Sequence, residues 1–463
     1  MKYVAFFGFF LMALLTGGAV SFAQEATEAE TALPAELSSE TVFILNSFMF
    51  LICGALIMWM AAGFAMLEAG LVRAQNTAAI CLKNVALYAL AGIMYYVIGY
   101  NLMYVDLADH GLWGSFTLFY DPNGAEVALL SADEAGEAAA AAKLVEGQNY
   151  ASMSDWFFQM VFVATAASIV SGTLAERIKL WPFLIFVLVL TGFIYPIQGA
   201  WSWGGGWLSK MGFSDFAGST IVHTVGGWAA LTGAIILGPR TGKYTQDGRI
   251  MPIPGANLPL ATLGTFILWF GWFGFNGGSV LALGSAKSVT LMSLVFVNTN
   301  MAAAAGCVAA MLYATLRFGK PDLTMVLNGA LAGLVAITAG PDVANPAIAM
   351  LIGAVGGVLA CAAVPFFDRL KIDDVVGALS VHLVAGIWGT LCVALFGTGD
   401  IVTQVIGIAA VGAFVSLSSA VLWLFLKYTV GIRVSEREER IGLDKVEVGL
   451  EAYPDFEIRQ AGH

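Results

Sequence analysis

The sequence contains very little charge. Only 11% of its 463 residues are Asp, Glu, Lys or Arg, whereas 59% are hydrophobic. An ordinary soluble domain carries about 25% charged residues, so a soluble protein of this length could not cover its surface. A disordered chain needs high charge and low hydrophobicity, which is the opposite balance. The composition therefore predicts an integral protein of the lipid bilayer.

Cysteine and basic clusters are also scarce. The five cysteines lie in apolar runs without metal-ligand spacing, so we interpret them as small buried hydrophobic residues and expect no metal and no cofactor. No basic patch exists outside short interhelical turns, which argues against nucleic acid as a partner. We find no nucleophile–base pair that would indicate an enzyme.

The N-terminal residues 1–23 have the features of a secretory signal peptide. Lys2 supplies a positive end, an apolar run follows, and Ser21-Phe-Ala23 forms a small-x-small cleavage site. The alternative is a first transmembrane helix, but the run is short and an acidic segment follows it. We favour cleavage, which leaves residues 24–41 as an extracellular segment.

Eleven later stretches are apolar and reach about the 20 residues that a helix needs to cross a bilayer. Their approximate limits are 42–72, 76–105, 152–174, 180–199, 217–238, 257–276, 288–316, 323–340, 346–367, 374–396 and 402–429. Strands of a β-barrel would be shorter and would alternate in polarity, so these spans are predicted to be helices. The predicted fold class is an all-α polytopic membrane protein with its transmembrane domain at 42–430.

Lysine and arginine lie mainly on one side of these spans. They occur in the turns after the odd-numbered spans and in the tail 431–463, whereas the other side has only Lys143, Lys210 and Lys287. The positive-inside rule then places the N-terminus outside the cell (inner or plasma) membrane and the tail in the cytoplasm. The acidic loop 106–150 is extracellular by this count, and we interpret it as a solvated cap.

Two of the four histidines, His223 and His382, lie deep inside apolar spans. An ionisable group is expensive there and is therefore a functional-site candidate, although either one alone could be a core histidine bonded to a carbonyl. Both close the same pattern, Asp-x2-Gly-x3-Val-His, which begins at Asp215 in span five and at Asp374 in span ten. Because the copies are five spans apart, they run in opposite directions.

This arrangement predicts an inverted repeat, with spans 1–5 and 6–10 as its halves and one final helix after them. If each aspartate caps an α-helix, its histidine lies about 12 Å below the cap. The two imidazoles would then approach the middle of the bilayer from opposite sides and meet. Two adjacent imidazoles in a dry site can share a hydrogen bond and relay a proton.

Aromatic residues are concentrated where several spans reach the outer side. Trp203 precedes span five, Phe158 and Phe162 share one face of span three, and span six ends with Phe275 and Ser279. Such residues alone are typical of an interfacial belt or an apolar core. Several rings with one hydroxyl and no ring of charges also suit a monovalent cation held by cation–π contact.

With these motifs, the sequence resembles the ammonium transporters (Amt/Mep/Rh family) from about residue 42 to about residue 455. The matching motifs occur in the family's order: Leu-Ala-Glu-Arg-Ile at 174–178, Trp-Gly-Gly-Gly at 203–206, Asp-Phe-Ala-Gly at 215–218, Gly-Trp-Phe-Gly-Phe-Asn at 271–276, and the two histidines. The resemblance implies a homotrimer with one pore per subunit. Trp203 and Ser279 match residues that are typical of the Amt branch of this family.

The resemblance also implies roles for individual residues. Trp203, Ser279 and Phe162 match an outer site that recruits ammonium, and Phe275 together with Phe158 or Phe162 matches a gate. His223 and His382 match the twin histidines of the pore, Asp215 matches the supporting aspartate, and the repeat assigns Asp374 the same supporting role. Our hypothesis is that ammonium loses a proton near the gate and that ammonia passes the histidines.

The tail resembles the cytosolic segment through which members of this family respond to PII signalling proteins, although a charged tail is also typical of a solvated end. The main alternative to a transporter is an ammonium sensor, in which the same pore reports its occupancy through the tail. Glu68, an acidic residue near the inner end of span one, has no role in these expectations.

Overall fold

The computed structural model describes residues 37–454, so the predicted signal peptide, residues 1–23, lies outside the described residues. Within that range the chain is helical, and its β-structure consists of two isolated bridges. Ten of its helices are long and apolar enough to cross a membrane, and one shorter apolar helix accompanies them. In chain order, α1 to α11 are Ser39–Leu71, Ala74–Tyr104, Ser152–Thr173, Leu180–Lys210, Ser219–Leu237, Leu258–Gly278, Ala286–Phe318, Leu323–Ile337, Pro346–Arg369, Leu379–Phe396 and Ile401–Thr429.

The predicted all-α polytopic fold is confirmed, with one difference in span eight. The span expected at 323–340 is the 15-residue helix α8, which begins after the cap Asp322 and ends at Ile337. At 1.5 Å per residue it is about 22 Å long, shorter than a hydrocarbon core of about 30 Å. Thr338 is its C-terminal cap residue, and the Thr338 hydroxyl donates to the carbonyl of Leu334 at 2.7 Å.

Side-chain caps fix the starts of several helices. Ser38 accepts from the Thr41 N–H at the start of α1, and Asp400 accepts from the Thr403 N–H at the start of α11. Each such cap supplies an acceptor to an N–H group that has no partner within the helix.

The exposed side of α11 is an apolar stripe at i, i+4 and i+8, formed by Leu417, Val421 and Phe425. This stripe is suited to lipid.

The loop 106–150 folds over one end of the bundle, which we call the loop face. It contains the short helices Gly124–Leu130 and Glu137–Gly147. The buried carboxylate of Glu126 accepts from the hydroxyl of Ser152 at 2.8 Å. Asn46 of α1 also donates to the carbonyl of Asn149 at 3.0 Å. The acidic loop is therefore attached to the first helix and to α3.

The opposite end, which we call the tail face, carries residues 431–454. Arg433 pairs with Ile178 in an antiparallel bridge. Asp444 accepts from the backbone N–H groups of Ala78 and Ala79, at 3.0 and 2.8 Å, and so caps α2. The buried carboxylate of Glu439 accepts from both the N–H and the hydroxyl of Thr241. The described part of the tail therefore packs on the bundle.

A buried ion network joins the turns of the tail face. Arg240 donates to both carboxylate oxygens of Asp373, at 2.8 and 2.9 Å, and lies 3.4 Å from Glu176. Glu176 also pairs with Arg73 at 2.6 Å. Burial raises the pKa of Asp373, but the hydrogen bond from Arg240 and the positive charges of Arg177 and Arg240 outweigh it and hold the pKa below its usual value.

We expect Arg240→Ala to lower the free energy of unfolding by about 3–5 kcal/mol, because it leaves the buried Asp373 carboxylate without its ion pair. The measurement is the thermal unfolding midpoint of the purified protein in detergent. Arg249→Ala, which removes a surface pair with Asp247, is the matched control. The ionised Asp373 carboxylate contributes to the free energy of unfolding above about pH 4. This contribution is lost as the pH falls through the lowered pKa of Asp373 in the folded protein. Equal midpoints for the two variants would contradict this prediction.

Candidate functional site

The two buried histidines contact each other. The Nδ1 atoms of His223 and His382 are 3.3 Å apart, and the ring centroids are 5.2 Å apart with the planes inclined by 25°. One Nδ1 therefore donates a long hydrogen bond to the other, since neutral imidazole carries one donor and one acceptor. Both side chains are buried, and His223 Nε2 has no hydrogen-bond partner among the described residues.

His223 is held by a wide first turn of α5. Residues Ser219–Thr224 form a π-helix, in which the His223 N–H reaches back five residues to the carbonyl of Gly218 at 3.0 Å. The Asp215 carboxylate accepts four backbone N–H groups, those of residues 218–221, at 2.8–3.1 Å. These bonds satisfy the N–H groups that a helix start leaves without partners. Asp215 therefore fixes the turn that carries His223.

His382 is held in the same way at the start of α10. Residues Leu379–Val384 form a second π-helix, and Asp374 accepts from the N–H groups of Ala378 and Leu379 at 3.1 and 2.7 Å. Asp374 also accepts from the hydroxyl of Thr173 at 3.1 Å. Gly377 has a positive φ of 82°, and the glycine at the equivalent position of the first copy has a φ of 107°. This backbone conformation favours glycine at both positions.

The prediction that an α-helix runs from each aspartate to its histidine is wrong. Residues 215–218 and 374–377 form turns, and the helices begin at Ser219 and at Ala378 or Leu379 with π-helical geometry. The 12 Å depth expected from α-helical rise therefore does not apply. Each helix instead begins only three or four residues before its histidine.

The repeat extends beyond the pattern seen in the sequence, to a glycine four residues after each histidine. A Cβ on Gly227 would lie 2.7 Å from Cβ of Leu383, and a Cβ on Gly386 would lie 2.6 Å from the carbonyl oxygen of Ser219. Only glycine allows α5 and α10 to approach this closely. The paired glycines therefore bring the two histidines together, and the sequence signal that could have revealed them is the repeat itself.

Three phenylalanines lie on the loop-face side of the histidine pair, and one of them, Phe275, contacts His223. The ring centroids of Phe162 and Phe275 are 4.3 Å apart, and Phe275 stacks on His223 at 5.3 Å. Phe158 contacts Phe162 at 4.9 Å. All three side chains are buried. Of the two candidates for a partner of Phe275, the structure places Phe162 in ring contact with it.

Trp203 continues this aromatic series towards the loop face. Its ring is 5.6 Å from Phe162 in an edge-to-face arrangement, and its indole N–H donates to the carbonyl of Asp215 at 2.9 Å. Ser279 lies at the end of α6, one turn after Phe275, where its hydroxyl donates to the Phe275 carbonyl at 2.8 Å. The serine oxygen keeps its lone pairs as acceptors. The structure thus brings Trp203, Phe162 and Phe275 into contact, with Ser279 bonded to the backbone of Phe275.

Sequence reasoning missed Trp272. Its ring stacks on His223 at 5.0 Å, and its indole N–H donates to the hydroxyl of Thr338 at 2.8 Å. The spacing contained a signal, because Trp272 and Phe275 are three residues apart and therefore share a helix face. His223 is consequently in contact with two aromatic rings of α6.

The chain matches a known family over most of its length. The model of the Ammonium Transporter Family matches residues 48–453. Ammonium transporter Amt2 of Archaeoglobus fulgidus is 40% identical over 439 residues, which cover 88% of this chain and 87% of that protein. Ammonium transporter Amt1 of Haloferax mediterranei is 38% identical and covers 89% of this chain and 80% of that protein.

Solved structures are similar as well. One described as a sensor Amt protein superimposes with a TM-score of 0.80 at 35% identity, and the match covers 89% of this chain and all of the other. A mutant of Candida albicans Mep2 gives a TM-score of 0.75 at 25% identity, with 90% of this chain and 92% of that one covered.

Proposed function

Because this chain belongs to the ammonium transporter family, we propose that it carries ammonium nitrogen across the membrane through a pore at His223 and His382. The observation that carries the proposal is the buried imidazole pair, 3.3 Å apart, below the contacting rings of Phe162 and Phe275. Such a path is lined by π-faces and hydrogen-bonding nitrogen atoms, and it contains no ring of charges among the described residues.

Recruitment of the cation is assigned to the loop-face end of this path. Trp203 and Phe162 present ring surfaces, which attract a monovalent cation, and Ser279 offers a hydroxyl oxygen to an ammonium N–H. An anion would be repelled by the same ring faces. The proposed substrate is therefore ammonium, and the loop face is the outer side because basic residues lie at the tail face.

Selection against potassium follows from the dryness of the path. Potassium and ammonium carry the same charge, and either bare cation would lose its hydration on passing the buried phenylalanines. Ammonium can instead transfer a proton to the imidazole of His223, which contacts Phe275, and continue as neutral ammonia, because the electron pair of the broken N–H bond stays on the ammonia nitrogen. The imidazole nitrogens of His223 and His382 then supply hydrogen bonds that replace part of the lost hydration.

We expect Trp203→Leu to raise the KM for ammonium uptake about tenfold, which corresponds to the loss of about 1.4 kcal/mol of cation–π attraction. The maximal rate should change less, because the histidine pair is retained. Trp113→Leu, which removes an exposed tryptophan of the loop 106–150, is the matched control. The measurement is concentration-dependent uptake in cells that lack their own ammonium transporters. An unchanged KM for Trp203→Leu would contradict its proposed role.

The oligomeric state and the regulation of transport are proposed from the resemblance to the ammonium transporters. The subunits form a trimer with one pore each, and the tail is the cytoplasmic segment that a PII-type protein would contact. The packing of Glu439 and Asp444 on the bundle supports a route from the tail to α2 and to the turn after α5.

The proposed function is tested with the full chain in proteoliposomes and in transporter-deficient cells. An ammonium concentration jump should give a transient current or a rise of internal pH, whereas a potassium jump should give neither. Uptake in cells separates a transporter from a sensor, since a sensor would bind ammonium without accumulating it. Equal responses to ammonium and potassium would refute the proposal.

A further inference from the structure

One buried carboxylate, that of Glu68, is not part of the path described above. It lies near the tail-face end of α1 and is 1% exposed. Its Oε2 accepts from Asn84 Nδ2 at 3.1 Å and from the hydroxyl of Ser171 at 2.6 Å. Its Oε1 is buried and has no hydrogen-bond partner among the described residues. An unsatisfied buried carboxylate oxygen within a membrane span calls for a functional explanation.

Glu68 shares a small cavity with His382. The cavity has a volume of about 20 Å³, and most of its other lining residues are apolar. This volume is enough for one water molecule. Phe64, one helical turn before Glu68, has its ring centroid 6.1 Å from that of His382. The cavity thus connects the tail-face side of the histidine pair with the carboxylate.

On its other side, Glu68 is linked to a buried lysine through one residue. Lys83 of α2 donates from Nζ to the backbone carbonyl of Ser171 at 2.8 Å, while the hydroxyl of the same serine donates to Glu68. The Lys83 ammonium also lies 4.9 Å from the centroid of the Phe183 ring. Lys83 therefore places a positive group next to the serine that bonds the Glu68 carboxylate.

Lys83 in turn reaches a second cavity of about 20 Å³, which lies beneath the tail. Its lining includes Leu443, Glu447 and Val448 of the tail together with Lys83 and Ile178. Glu447 is held there because its carboxylate accepts from the N–H of Leu180 at 2.9 Å. Lys83 therefore lies between Ser171, the residue that also bonds Glu68, and the space beneath the tail.

We propose that Glu68 accepts the proton that leaves the histidine pair and releases it towards the tail face, with the Lys83 ammonium as the nearby balancing charge. This inference rests on the proposed function. In the first step an N–H bond of protonated His382 breaks and an O–H bond forms on Glu68, through a water molecule that the cavity between them has room to hold. The N–H electron pair stays on the imidazole, which becomes neutral. Ammonia crosses separately, so each transport cycle moves one net positive charge.

The test uses the full chain in proteoliposomes with two readouts, the peak current after an ammonium jump and the rise of internal pH above that of protein-free vesicles. We expect Glu68→Gln to lower the peak current about 100-fold, which is the rate effect typical of removing a group that accepts a proton. Ammonia entry should still raise the internal pH of this variant. Glu68→Asp should restore most of the current. Glu126→Gln, which changes a buried carboxylate of the loop face, should leave the current unchanged.

Four outcomes would contradict the expectation in distinguishable ways. A normal current in Glu68→Gln overturns the inference. Loss of both readouts in Glu68→Gln and Glu68→Asp, with a lowered thermal midpoint, assigns Glu68 a structural role and also overturns it. If the unmutated protein raises the internal pH but gives no current, the proposed proton route is refuted, whereas ammonia transport is still supported. Absence of both signals in the unmutated protein refutes the proposed function itself.

Discussion

Replacing His223 or His382 with alanine is expected to abolish selective ammonium flux. Each substitution removes one imidazole from the 3.3 Å pair and leaves ammonia without the hydrogen bonds that compensate for its lost hydration. We expect ammonium uptake to fall about 100-fold, which corresponds to about 2.7 kcal/mol in the barrier. The widened path should also lose its discrimination against potassium. The measurement is the ratio of ammonium to potassium currents in proteoliposomes.

The matched control for this experiment is His110→Ala. His110 lies exposed in the loop 106–150, where its Nδ1 accepts from the N–H of Leu112. Its removal should leave both the flux and the selectivity unchanged. Full selectivity retained in His223→Ala or His382→Ala would remove these residues from the mechanism.

Asp215→Ala is expected to prevent stable folding. It leaves four buried backbone N–H groups without their acceptor, and each unsatisfied donor costs about 1–3 kcal/mol. Even the lower figure gives about 4 kcal/mol, close to the whole stability of many domains. The expected result is aggregated protein in detergent, measured by size-exclusion chromatography and by the thermal midpoint.

Two other aspartates provide a graded comparison. Asp374→Ala removes an acceptor of two N–H groups, so it should be less destabilising than Asp215→Ala. Asp400→Ala removes an exposed cap of α11 and should cost only about 1 kcal/mol. A midpoint for Asp215→Ala equal to that of Asp400→Ala would contradict the role assigned to the buried carboxylate.

Most of the fold could be predicted because long apolar segments leave few alternatives to helices. The end of α8 could not, since Ala339 continues the apolar pattern while the Thr338 hydroxyl accepts from Trp272, 66 residues away. The helix Glu137–Gly147 carried a local signal in its alanines, which favour helix, but the acidic composition suggested a solvated loop instead. The packing of Asp444 on α2 joins residues 366 apart and has no local signal.

The site was predictable where the chain repeats itself. The shared pattern around His223 and His382 indicated that the rings meet, since two oppositely directed copies bring their histidines to the middle of the bilayer from opposite sides. The π-helical turns were not predictable, because the same residues are equally compatible with α-helix. The arrangement of Phe162 and Phe275 also depends on how α3 packs against α5 and α6, which spacing along one helix does not specify.

The matched π-turns have an evolutionary consequence. Each half of the chain supplies one aspartate, one left-handed glycine and one imidazole, so neither half alone contains a pair. An ancestral five-helix unit would have needed a second copy inserted in the opposite orientation to form the His223–His382 contact. Gene duplication would have fixed that dual-topology dimer in one chain, after which the halves could diverge.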